Sequence, residues 1–64
     1  MVEVNSQALD IAGVTLSRYL SDAGYDATRI AVECNGEIVP KANYEATILA
    51  DGDCLEIVSF VGGG

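Results

Sequence analysis

The 64-residue chain has no histidine, a single proline, and only three basic residues, Arg18, Arg29 and Lys41, against ten acidic ones. Without histidine there is no side chain whose ordinary pKa suits proton transfer near neutrality, and no imidazole to complete a zinc site with Cys34 and Cys54. Those two cysteines also lack the close spacing of a redox pair, and no glycine-rich loop of the phosphate-cradling kind is present. Asp10, Asp22, Asp26, Glu33, Glu37 and Glu45 show no spacing that singles out a general acid and a general base. Asp51-Gly52-Asp53 matches a fragment of a calcium loop, but it lacks the further ligands and the closing glutamate, so it reads as a turn. An independent enzyme, with catalytic residues or a bound metal or cofactor, is therefore the least favoured class.

Basic segments and long apolar runs are missing too. Nothing approaches the roughly 20 apolar residues that span a bilayer, and Met1-Val2-Glu3-Val4-Asn5 has no basic stretch leading into an apolar one. The expectation is a cytoplasmic protein with no membrane partner, a monomer when free. A formal net charge of -7 repels phosphate backbones, which argues against nucleic acid. The same charge keeps a small domain soluble, and it suits a basic docking surface on a protein partner.

What is present suffices for one small domain spanning residues 1–64. Half of the residues are apolar, which argues for a folded globule. A chain of this size buries only about 60% of its unfolded surface, so a deep catalytic cleft is not expected.

Val2 and Val4 alternate with Glu3, and after Asn5-Ser6-Gln7 the apolar Leu9 and Ile11 alternate with Asp10, the pattern of a hairpin. Leu16, Tyr19, Leu20 and Ala23 fall on one stripe of a short helix, with Thr15 as N-cap and Gly24 as stop. Tyr19 is expected in the core; Tyr25 and Tyr44 are not assigned. Over Arg29 to Cys34, Ile30, Val32 and Cys34 share one face, and Asn35-Gly36 suits a tight turn into Glu37-Ile38-Val39. Pro40 has no amide proton and should end that pairing, leaving Lys41 to Ala50 as a loop with at most one helical turn. Asp51-Gly52-Asp53 then turns into a last strand over Leu55 to Phe60. Hairpin, helix, hairpin, loop and strand make an α+β chain in which a mixed sheet of about five strands packs on one short helix. This is the β-grasp, or ubiquitin-like, order.

Strand parity divides the last strand. If Leu55 and Ile57 point to the helix, then Glu56, Val58 and Phe60 point away from it and stand exposed. Single exposed apolar residues are ordinary, but a pair beside the chain's end suits a docking patch, and Val61 extends it. Cys34 takes the inward phase and Cys54 the outward one, so they are expected to stay reduced on opposite faces. Directly behind the strand comes Gly62-Gly63-Gly64. Glycines without Cβ can thread a narrow channel where any side chain would collide, and the group offered at the end is the Gly64 α-carboxylate. Glycines at a chain end also arise from fraying or from cloning scars; their position behind an apolar strand favours function.

Asn35-Gly36-Glu37-Ile38-Val39-Pro40-Lys41, Asp51-Gly52-Asp53 before Leu55-Glu56-Ile57, and Phe60-Val61-Gly62-Gly63-Gly64 together resemble the ThiS family, the sulfur carriers of thiamin biosynthesis. The likeness runs along essentially the whole chain; Lys41 stands where the family often has arginine. The resemblance implies that an E1-like adenylating enzyme consumes ATP to form an acyl-adenylate on Gly64. A sulfur-donating persulfide enzyme then converts it to a thiocarboxylate, and the sulfur passes to thiazole synthase. In that scheme Gly64 carries the sulfur, Gly62 and Gly63 thread the tail, and the protein itself binds no cofactor. A β-grasp carrier for molybdopterin synthesis or transfer-RNA thiolation, and a non-covalent ubiquitin-like module, are the alternatives.

Overall fold

The computed structural model describes residues 1–60. Its strands are β1 (Val2–Val4), β2 (Gln7–Leu9), β3 (Ile30–Cys34), β4 (Glu37–Ile38) and β5 (Cys54–Ser59), with one helix, α1 (Leu16–Asp22). The strands form one mixed sheet in the order β2-β1-β5-β3-β4. β5 runs parallel to β1 and antiparallel to β3, and each outer strand is the hairpin partner of its neighbour. This is the expected β-grasp arrangement.

Both hairpins turn on two residues held at positive φ, Asn5 (50°) with Ser6 (72°) and Asn35 (53°) with Gly36 (86°). That geometry matches the right-handed twist of the flanking strands, and asparagine tolerates it better than most side chains. The first turn is one residue shorter than expected, because Gln7 already pairs with Val4. Ile11, expected in the second strand, lies beyond it and packs half-buried against the core. In the second hairpin, β4 stops at Ile38 rather than Val39, although the Val39 amide still donates to the Val32 carbonyl (2.9 Å) before Pro40 removes the next donor. Arg29 belongs to a turn of 3-10 helix, Ala27–Arg29, rather than to β3.

Helix α1 is capped at both ends as its sequence suggests. The Thr15 hydroxyl accepts the Arg18 amide (3.2 Å). At the other end Tyr25 N–H reaches the Leu20 carbonyl (2.9 Å) and Gly24 N–H the Ser21 carbonyl (3.2 Å). With Gly24 at φ 85°, this is the Schellman closure. Only Leu16 and Leu20 of the helix are buried. Tyr19 is half-buried rather than central, tilted against Tyr25 with ring centroids 6.4 Å apart, and Ala23 is exposed because the helix has already ended.

The segment from Lys41 to Ala50 contains one 3-10 turn, Lys41–Asn43. It supplies two core side chains, Tyr44 and Leu49. It also takes up backbone donors that a helix start leaves free: Leu16 N–H bonds the Thr47 carbonyl (2.8 Å) and Ser17 N–H the Tyr44 carbonyl (3.0 Å). Leu49 is bonded in both directions, its N–H to the Val14 carbonyl (2.9 Å) and its carbonyl to Gly13 N–H (2.7 Å). The core thus comprises the inward residues of β1, β3 and β5, Leu16 and Leu20 of α1, and these two anchors.

The two cysteines are free thiols on opposite faces, as parity predicted: Cys34 is half-buried beneath the sheet and Cys54 exposed above it. Burial pushes the Cys34 thiol up, and the nearby Asp53, Cys54 and Glu37 push it further in the same direction.

Two outcomes follow. Leu49→Ala should destabilise the protein by about 2 to 5 kcal/mol in urea unfolding, whereas Ile48→Ala, whose side chain is 64% exposed, should change stability by less than about 0.5 kcal/mol. Equal losses would mean that the segment is not anchored through Leu49. With iodoacetamide near neutral pH, peptide mapping should find Cys54 alkylated well before Cys34, since only thiolate reacts and Cys34 is both covered and held protonated.

Candidate functional site

Strand β5 is bonded on both sides over its first half and on one side over its second. Its pairing with β1 covers Cys54 and Leu55, and the bonds continue through Asn5, whose N–H donates to the Leu55 carbonyl (3.0 Å). The Asn5 amide then behaves like one more strand residue, accepting from Ile57 N–H (2.9 Å) and donating to the Ile57 carbonyl (3.3 Å). β1 turns away at Asn5, and from Val58 onward the pairing is with β3 alone, ending at Ile30 opposite Ser59. One further bond, from Phe60 N–H to the Arg29 carbonyl (2.8 Å), keeps the backbone aligned one residue beyond the strand.

Arg29 is itself fixed by the turn before β3. Asp26 caps that turn, accepting the Thr28 amide (3.0 Å) and hydroxyl (2.6 Å). These bonds hold the exposed Asp26 carboxyl below its ordinary range, with smaller help from the Arg29 and Lys41 charges. From the other side the Lys41 ammonium lies over the Phe60 ring, 5.9 Å from its centroid. This is cation–π range, and it tethers the 41–50 segment to the end of β5.

Alternation along β5 falls as the sequence predicted. Leu55 and Ile57 are buried, while Val58 is 57% and Phe60 52% exposed. The register adds neighbours that the sequence reading did not name: Ala31 opposite Val58, Glu33 opposite Glu56, and Ile38, 69% exposed, opposite Glu33. The outer face of the sheet therefore carries Val58, Ala31 and Ile38 around the Glu33–Glu56 pair. Glu3 stands on the same face, one strand away, by its pairing with Cys54. Ile38 was within reach of sequence reasoning, because a two-residue turn at Asn35-Gly36 forces Ile38 opposite Glu33. The partner of Val58 was not, because the β3–β5 register has no local signal.

Beneath β4 an open groove of about 540 Å³ is lined by Cys34, Ile38, Val39, Pro40 and Thr47 among others. Burial pushes the Cys34 thiol in this groove up, which disfavours the thiolate a nucleophile would need. Among the described residues no group of three or more potential ligands could hold a metal ion, and no helix is long and apolar enough to cross a membrane. Val61, Gly62, Gly63 and Gly64, assigned to docking, tail threading and sulfur carriage, lie outside the described residues.

Comparison with known proteins agrees with this architecture. The model of the ThiS family matches residues 2–64. The chain is 49% identical over 53 residues to a thiazole synthase of Paramagnetospirillum magneticum, a match covering 83% of this chain and 16% of that protein. It thus spans only a small part of the length of that relative. The sulfur carrier protein ThiS of Bacillus subtilis is 51% identical over 35 residues, covering 55% of this chain and 53% of that one. The crystal structure of the thiamine biosynthesis protein ThiS from Geobacter metallireducens superimposes with a TM-score of 0.79 at 33% identity, covering 98% of this chain and 97% of that one. With the same fold along the same length and a family match over residues 2–64, this chain belongs to the ThiS family of sulfur carrier proteins in thiamin biosynthesis.

Proposed function

We propose that the protein works as a covalent sulfur carrier through the Gly64 carboxylate. A carboxylate is a poor electrophile, so an E1-like enzyme must activate it. Carboxylate oxygen attacks the α-phosphorus of ATP, pyrophosphate leaves, and the acyl-adenylate forms. The terminal sulfur of an enzyme persulfide then attacks the acyl carbon and expels AMP. A thiol breaks the resulting sulfur–sulfur bond, forming a disulfide with the persulfide enzyme's cysteine and leaving a thiocarboxylate on Gly64. Thiazole synthase takes that sulfur. The carrier supplies no catalytic residue and no bound cofactor; it supplies a carboxylate and a surface that aims it.

The observation that carries this reading is the end of β5. Ordered pairing persists to Phe60, directly before Val61 and the three glycines, while Val58 and Phe60 stay exposed on the strand that leads there. In this reading Val58, Phe60 and Val61 dock the partner, and Gly62 and Gly63 pass through its channel without side chains to collide. The choice of thiazole synthase as acceptor draws on the likeness of this chain to segments of two proteins named thiazole synthase, from Paramagnetospirillum magneticum and Magnetococcus marinus.

Deleting Gly64 should abolish adenylate-dependent pyrophosphate exchange and thiocarboxylate formation while leaving the thermal melting curve in place. Fragment mass spectrometry must localise the exchange of oxygen for sulfur to Gly64, because oxidation of Met1 or a cysteine gives nearly the same mass shift. Normal exchange by the truncated protein would refute the carrier reading. Sulfur transfer to a molybdopterin or transfer-RNA acceptor, and not to thiazole synthase, would redirect it to the corresponding pathway.

Phe60→Ala should weaken binding to the activating enzyme roughly ten- to a hundred-fold with little loss of stability. Ile57→Ala should instead destabilise the fold by about 2 to 5 kcal/mol, because Ile57 belongs to the core. Titration and melting of the two variants together separate docking from packing. Normal binding by a Phe60→Ala protein that melts early would assign Phe60 to the core.

A further inference from the structure

Glu33 and Glu56 face each other directly across the β3–β5 ladder, on the exposed side of the sheet. Like charges in opposed positions repel, and a cross-strand pair of this kind lowers the stability of the sheet that carries it. Glu3 adds a third carboxylate on the same face. The chain has three cationic side chains, and all are engaged elsewhere: Arg18 bonds Asp22 (3.0 Å), Arg29 reaches Asp26 (3.6 Å), and Lys41 covers the Phe60 ring. The amino terminus is taken by Asp51. Among the described residues no cation is paired with Glu33 or Glu56.

The surroundings of the two carboxylates narrow what could relieve it. Along β5 the neighbour on the same face is Val58, opposite Ala31, and across β4 it is Ile38. A hydrated metal ion would gain nothing from those apolar side chains. A protein surface that buries them also brings its own cation into a partly desolvated setting, where a charge-assisted bond is stronger than at an open surface. Arginine fits better than lysine: its planar fork can bond two carboxylates at once, and its weakly hydrated guanidinium tolerates an apolar rim.

We propose that the Glu33–Glu56 pair is the receptor for an arginine of the activating enzyme, seated on the outer sheet face with apolar side chains packed against Val58, Ala31 and Ile38. The inference rests on the docking role given above to the β5 face and names the charge that recognises it. The repulsion present in the free carrier is discharged on binding, so the pair favours the complex over the free protein. Net charge steers the encounter, and the pair fixes the register.

The test uses the full chain and the purified E1-like enzyme of the same organism, with Glu33→Gln, Glu56→Gln, the double variant, and Asp22→Asn on α1, across the sheet, as a control of equal charge loss. Each single glutamine variant should raise the melting temperature of the free carrier by roughly 2 to 6 °C. Each should also weaken binding about tenfold, the order expected for a lost hydrogen bond to a charged group. The double variant should lose less than the product of the two singles, because one guanidinium serves both carboxylates. Asp22→Asn should leave affinity nearly unchanged.

Unchanged affinity in both single variants overturns the proposal, as does an equal loss in Asp22→Asn, which would assign the effect to net charge. A fall in melting temperature would remove its premise. Val58→Ala and Phe60→Ala distinguish the two levels of the argument. If these weaken binding and the glutamine variants do not, the docking face stands and the arginine contact falls; if all four bind normally, both fall.

Discussion

The structure depends on holding β5 in the middle of the sheet, between two hairpins that are not paired with each other. Backbone pairing alone does part of this, and two asparagines do the rest. Asn5 and Asn35 occupy the turns of the two hairpins at positive φ, and each spends its side-chain amide on β5. Asn35 accepts the Cys54 amide (3.0 Å) and donates to the Asp53 carboxylate (3.0 Å), while Asn5 clasps Ile57. Asp53 in turn accepts the Ala50 amide (2.9 Å), so the turn before β5 is locked by the turn after β3. A residue lacking the amide would lose the bonds and pay more for the backbone conformation, which is why one residue type serves both purposes.

That clamp assigns separate tasks to the two faces and two ends of one short strand. Its inward residues, Leu55 and Ile57, complete the core beneath the sheet. Its outward residues Glu56, Val58 and Phe60 stay exposed, because the helix packs on the other side, although the Lys41 ammonium reaches round to the Phe60 ring. Beyond Ile57 the strand loses its β1 neighbour, and the hold on Phe60 passes to the Arg29 carbonyl and the Lys41 ammonium. Backbone bonding thus extends along β5 as far as Phe60, the last described residue. In the proposed carrier function, an enzyme that seeks the carboxylate beyond Phe60 would meet a strand already paired up to that residue, which lowers the ordering cost of binding.

Much of this was legible in the sequence where the signal is local. Asn35-Gly36 announces its turn, Thr15 and Gly24 bracket the helix, and alternation over Leu55 to Phe60 separates core from surface. The first turn was misread by one residue because Asn5-Ser6 is a less emphatic pair than Asn-Gly, and Gln7 looks as polar as a turn residue. The burial of Tyr44 and Leu49 had no periodic signal, since each is a lone anchor in an irregular segment ordered by the helix start it caps. The same limit applies to the site. Val58 and Phe60 follow from parity, but their company with Ala31, and the opposition of Glu33 to Glu56, depend on a register between strands more than twenty residues apart.

The parallel pairing of β1 with β5 joins Glu3 to Cys54 and Val4 to Leu55, the opposite extremes of the described chain. In synthesis, β1, both hairpins and the helix all emerge before the strand that unites them. Contacts so distant in sequence form late and make folding slow relative to a helical domain of similar size. A nascent chain that stops short of β5 has no central strand, no clasp for Asn5 or Asn35, and no outer face with which to be recognised. Pairing of β5 and formation of the outer sheet face are consequently one event, and a chain that lacks β5 lacks the face to which docking is assigned in the proposed function.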